Sequence, residues 1–143
     1  MSNNADSKYT GIRVISVING IAAVLHLLFW IFALIKLPEL SKTGSIEAKV
    51  NLATVYGFGI ADLVFSVPFL IIGSVALWKM KIQGWLSANI ANVLYWYSFT
   101  VIFSRDLSSG SFAPGTLIFL PFALFSVWAA YYLWKARRIY LKL

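Results

Sequence analysis

Four apolar runs dominate the chain, at residues 14–35, 52–78, 85–103 and 117–134. At helical rise they are roughly 33, 40, 28 and 27 Å long, against a hydrocarbon core of about 30 Å. The pattern predicts an all-α integral membrane protein, a single domain over 1–143 built from four transmembrane helices. The links between the runs have 16, 6 and 13 residues. Links this short predict antiparallel neighbours in up-down-up-down order. The first run has 22 residues, beyond the roughly 7–15 of a signal-peptide core, and reads as a retained helix. Pro38 should end the first helix. Ser45, with Glu47 in the first turn, should cap the second. Ser108, Ser109, Gly110, Pro114 and Gly115 mark a turn before the fourth. Pro68 and Pro121 should each free a backbone carbonyl inside a helix.

Composition supports this reading. Hydrophobic residues make up 60% of the 143 positions and charged residues 12%, where a soluble domain carries about 25% charged. There is no cysteine, which excludes disulfides and thiolate metal sites. The net charge of +7 would raise nucleic acid as a partner in a soluble protein. Here it follows topology instead. Lys8, Arg13, Lys79, Lys81, Lys135, Arg137, Arg138 and Lys142 fall on one side, and Lys36, Lys42, Lys49 and Arg105 on the other. That bias places both termini in the cytoplasm, in a cell membrane, with lipids as partners and no nucleic acid. Trp78, Trp85, Trp128, Tyr131, Tyr132 and Trp134 should form an interfacial belt on that side.

Two ionisable residues stand out within the runs. Asp62 is the only acid in any of them, and His26 is the only histidine in the chain. A charge at that depth is costly and is kept for a partner, a pathway or a ligand. Counting inward from the outer helix ends, His26, Asp62, Asn92 and Ser126 lie about 13–16 Å deep, one polar residue per helix. Asn19 and Asn89 could pair in a second layer. Helical periodicity groups Ser16, Asn19, Ala23, His26, Trp30 and Ala33 on helix 1. It groups Val55, Gly59, Asp62, Ser66 and Gly73 on helix 2, and Trp85, Ala88, Asn89, Asn92, Trp96, Phe99 and Phe103 on helix 3. If His26 and Asp62 touch, they titrate as a unit, and the pair could relay a proton, act as acid and base, or simply fix helix register. Trp30, Trp96, Tyr95 and Tyr97 could wall a pocket. Arg105 and Asp106, at the outer rim, could pair with each other, cap a helix or receive a headgroup.

Ala53, Gly57 and Ala61 form a second, small-residue face on helix 2. It could pack within the bundle, or serve a homodimer or a partner subunit. One histidine, no cysteine and one intramembrane acid cannot build a usual zinc or haem site. No metal or other cofactor is expected, and no phosphate loop, dinucleotide fingerprint or nucleophile elbow is present. Length and helix count are similar to those of small multidrug-resistance transporters. Those proteins carry a glutamate in the first spanning helix, where this chain has His26 and no acid, so the resemblance is one of architecture. Three functions fit the residues. The first is a protein that binds or transports a small or lipid-like ligand at His26, Asp62 and Asn92, with Asn19, Asn89, Ser66, Trp30 and Trp96 around them, and with possible proton coupling. The others are an accessory subunit of a membrane complex and an isomerase-type enzyme on a lipid-soluble substrate.

Overall fold

The computed structural model describes residues 3–39, 42, 44–112 and 114–141. All regular structure among them is helical, in six helices and one π-helical turn. Helix α1 runs over Asn3–Lys36, and the chain leaves it at Leu37, just before Pro38. Helix α2, Ile46–Ala61, starts at the expected cap: the Ser45 hydroxyl accepts from the Ala48 amide at 3.2 Å, with Glu47 in the first turn. A π turn, Asp62–Ser66, joins α2 to α3, Val67–Trp78. Helix α4 covers Ile82–Ser109, α5 Pro114–Lys135 and α6 Arg137–Leu141.

Pro68 explains the π turn. It has no N–H for the Val64 carbonyl, and its ring would crowd the preceding turn of an unbroken α-helix. The ladder widens ahead of it, with the Val67 amide donating to Asp62 O. Pro68 then sits in the first turn of α3, where a missing donor costs nothing. The predicted local break is therefore resolved by a change of helical pitch that begins at Asp62.

Among the described residues, three helical segments are long and apolar enough to cross a membrane: Tyr9–Lys36, Ile46–Trp78 and Gly115–Lys135. Helix α4 has the length, 28 residues, but Gln83, Ser87, Asn89, Asn92, Ser98, Arg105 and Asp106 dilute its apolar character. The expectation of four such segments is thus met for three. Outward faces along the helices are mainly apolar, with Val24, Phe32, Val64, Phe65, Val93, Leu124 and Val127 all exposed. So much contiguous apolar surface needs an apolar surrounding.

Helix α3 is the hub, packing along α1 on one side and α4 on the other; α5 packs on α4 and touches α1 lightly. Two buried clusters fill the interior. One gathers Ile12, Ile15, Leu77, Ala88, Ala129, Leu133 and Tyr140; the other gathers Ala22, Ala23, Leu70, Ala91, Tyr95 and Phe119. At the end carrying the first cluster, Arg13 lies over Trp78, Lys135 over Tyr131 and Arg137 over Trp134. These are the snorkelling geometries of basic side chains at an interface. Trp85 departs from the expected belt: it packs on the first cluster and donates to Leu133 O at 2.9 Å. The buried Tyr140 hydroxyl donates to Met80 Sδ at 3.8 Å. Burial pushes that hydroxyl up to about 12, so it stays a donor. Lys142, counted in the topology argument, lies outside the described residues.

Candidate functional site

The start of the π turn brings Asp62 into the interior, where it is 5% exposed. Its carboxylate collects donors from three segments. Oδ2 faces His26 Nε2 at 3.0 Å and accepts from Trp30 Nε1 at 2.8 Å, both from α1. Oδ1 accepts from Ser66 Oγ at 2.8 Å, one turn along its own chain, and from Ser98 Oγ of α4 at 3.4 Å. Four donors match the acceptor capacity of an ionised carboxylate. Trp30 Nε1 can only donate, so it holds Oδ2 as an acceptor whatever the state of His26. The imidazole extends the chain: its Nδ1 lies 3.5 Å from the Tyr95 hydroxyl, and its ring stands edge-on to Tyr95 and tilted against Phe119. His26, Trp30, Ser66 and Tyr95 are all buried.

Gly59 makes room for this arrangement. A Cβ there would lie 2.7 Å from the Trp30 ring, so the bare backbone is what lets the indole lie against α2 with its N–H on Asp62. Gly59→Ala is expected to push the ring aside and break the 2.8 Å bond. Trp30 emission should shift and the resonances of Asp62 should move, with a cost of about 1–3 kcal/mol, the usual range for overpacking. Fluorescence of a chain with Trp30 as the only reporter tests it; an unchanged spectrum would show that the gap at Gly59 does not position the ring.

Asp62 also reaches the outer surface. A cleft of about 310 Å³ lies between α2 and α4, lined by Thr54, Gly57, Phe58 and Ala61 of α2, Asp62, Phe65 and Ser66 of the π turn, and Leu94, Tyr97 and Ser98 of α4. Gly57, Ala61, Phe65 and Tyr97 are exposed at its mouth. The walls are mainly apolar, and the floor carries Asp62 with its two serine donors.

Other candidates fall elsewhere. The Asn89 amide donates to Trp85 O of its own helix and the Asn19 amide has no partner, so the expected Asn19–Asn89 pair is not formed; Ser126 Oγ, expected at the depth of Asp62, donates to Ala123 O of its own helix. Asn92, Asn19 and Trp96 each bury a side-chain N–H with no partner, and none of the three bonds to Asp62. Tyr97 lines the cleft while Tyr95 lies inside against His26. Ala53, Gly57 and Ala61 are exposed, and a Cβ at Gly57 would meet nothing within 4 Å. At the rim, α4 extends past the predicted end and takes Arg105 and Asp106 into the helix. Arg105 donates to Asp106 Oδ1 through Nε and Nη2, and Thr116 donates to Oδ2, which ties the end of α4 to the start of α5. Among the described residues no group of histidine, cysteine or acid side chains could hold a metal.

Sequence reasoning missed Ser98 and the role of Tyr95. It placed the inner face of α4 on Trp85, Ala88, Asn89, Asn92, Trp96, Phe99 and Phe103, of which Ala88 and Asn92 are buried. The buried residues run Gly84, Ser87, Ala88, Ala91, Asn92 and Tyr95, a face rotated toward the small residues. Those small residues were the available signal, since close helix contacts in membranes select them.

No family model matches the chain, and neither a curated protein nor a solved structure matches it.

Proposed function

We propose that this chain is a four-helix membrane protein, with up-down-up-down order and both termini cytoplasmic, that binds a small lipid-soluble molecule at Asp62. The observation that carries this reading is the position of Asp62: a fully engaged buried carboxylate that is also the floor of a cleft open to the outside of the protein. The Ser16–Ser74 and His26–Asp62 contacts support an antiparallel first pair, since positions rise along α1 as they fall along the following segment. In a bilayer the mouth between α2 and α4 faces lipid, so a ligand enters sideways. Apolar walls, and at the floor a carboxylate whose 3.4 Å bond from Ser98 is long enough for a ligand's donor to replace, suit an amphiphile with a hydrogen-bond-donating head, an amine or a hydroxyl, and an apolar body. His26 does not line the cleft; it acts through Asp62 by holding the carboxylate in place. The bare surface at Gly57 favours a second reading, a partner helix or second copy seated on the Ala53–Gly57–Ala61 face.

Native mass spectrometry of protein released from nanodiscs tests both. Wild type is expected to carry a non-bulk small molecule that is lost in Asp62→Asn and in Gly57→Trp, the latter filling the cleft without touching the carboxylate. A ligand retained in Gly57→Trp would remove the cleft from the site. A dimer or bound protein in place of a small molecule would establish the second reading.

A further inference from the structure

Three buried side-chain nitrogens have no hydrogen-bond partner among the described residues: Asn19 Nδ2, Asn92 Nδ2 and Trp96 Nε1. All three are donors. Asn92 and Trp96 are four residues apart on α4 and so share one face, one turn from each other. Trp85, two turns before Asn92 on that face, donates to Leu133 O, so the face looks toward α5. There Ser126 is buried and spends its proton on Ala123 O, leaving its oxygen free to accept. Asn19 lies on the buried stripe of α1, between Ile12 and Ile15 of one apolar cluster and Ala22 and Ala23 of the other.

The two buried carboxylates are committed elsewhere: Asp62 is filled by four donors, and Asp106 is held at the rim by Arg105 and Thr116. An unmet N–H is too costly in a hydrocarbon surrounding to be left so. We infer that Asn19, Asn92 and Trp96 hold a cluster of ordered water between α1, α4 and α5. Water is the acceptor of the right size, and it gains from a site with two to four polar partners; Ser126 Oγ can take one of its protons. Asn92 lies three residues before Tyr95, whose hydroxyl meets His26 Nδ1. The cluster therefore lies about one turn of α4 from the Tyr95 end of the Asp62–His26–Tyr95 chain. On the side of the termini, Ile12, Ile15, Leu77 and Leu133, all fully buried, close the interior.

The test is water-edited NMR on the full chain in nanodiscs of perdeuterated lipid. Magnetisation from water is expected at the side-chain N–H groups of Asn19, Asn92 and Trp96 within the mixing time that labels exposed Asn51, and not at the buried Trp30 N–H bonded to Asp62. In Asn92→Leu the water signals at Asn19 and Trp96 should fall at least severalfold, because one cluster serves all three. Absence of transfer in the wild type would overturn the inference without any variant. Transfer in the wild type with undiminished Asn19 and Trp96 signals in Asn92→Leu would overturn the shared cluster.

Discussion

Replacing His26 by leucine is expected to destabilise the fold by about 3–5 kcal/mol, the cost of leaving half of a buried pair behind. Asp62 would keep the N–H of Trp30 and the hydroxyls of Ser66 and Ser98, but it would lose the one group able to balance its charge. Asp62→Leu should cost a similar amount for the converse reason, stranding the imidazole and the Trp30 N–H. The double variant should recover much of the loss, since two apolar side chains of comparable size replace a pair that leaves water at a high cost. Removing Ser98, whose bond is long at 3.4 Å, should cost only about 0.6 kcal/mol, the average for an interhelical hydrogen bond in a membrane protein. Unfolding free energies of the wild type and the four variants in the same lipid mimic decide the matter. Additive single effects would mean that His26 and Asp62 do not stabilise each other. All three His26 and Asp62 variants should lose the cleft ligand whatever their stability, because none retains the carboxylate held by His26.

Gly84→Ala should be as disruptive through packing alone. The turn after α3 is tight: Lys81 N donates to Ala76 O at 2.8 Å and Met80 N to Leu77 O at 2.9 Å, around Met80 in the left-handed region at φ 52°. This is the Schellman closure of a helix. It brings the first turn of α4 against the last turn of α3, so that a Cβ on Gly84 would collide with the Leu77 nitrogen and the Ala76 carbonyl carbon. These are backbone atoms and cannot rotate away. The cost should reach about 3 kcal/mol, the upper end for overpacking. Gly57→Ala is the control. Its Cβ meets nothing within 4 Å, and the helix gains up to about 1 kcal/mol from the better helix former. Thermal or detergent unfolding of both variants measures the contrast; equal stability would mean that α3 and α4 approach less closely than described.

Local signals in the chain accounted for much of the architecture. Long apolar runs demanded helices, Pro38 ended the first, and Ser45 with Glu47 opened the second, because each of these acts within one turn of itself. The pairing of His26 with Asp62 was also legible, since a short link and matched depth bring two such residues together and neither is tolerated alone. The surroundings of that pair were less so. Trp30 was read as a pocket wall and is a donor to the carboxylate; nothing in a sequence tells an indole N–H which way to point. Asn92 was assigned to the Asp62 layer by depth and by the helical stripe it shares with Trp85, Ala88 and Trp96. Periodicity says which residues share a face and not which neighbour that face meets, and in α4 it is Tyr95 and Ser98 that face the site.

What the order of residues settled, then, was class and chemistry: helices, an apolar exterior and one acid with one histidine to meet it. Those follow from free energies that each residue carries with it, the cost of a charge or an open backbone group in an apolar medium. Three-dimensional packing settled the rest. It widened the helix at Asp62 to accommodate Pro68 and turned α4 onto its small residues. It also left α2 apart from α4, so that the carboxylate borders an open cleft. These outcomes depend on which faces of separate helices fit together, a property of pairs that no single segment contains.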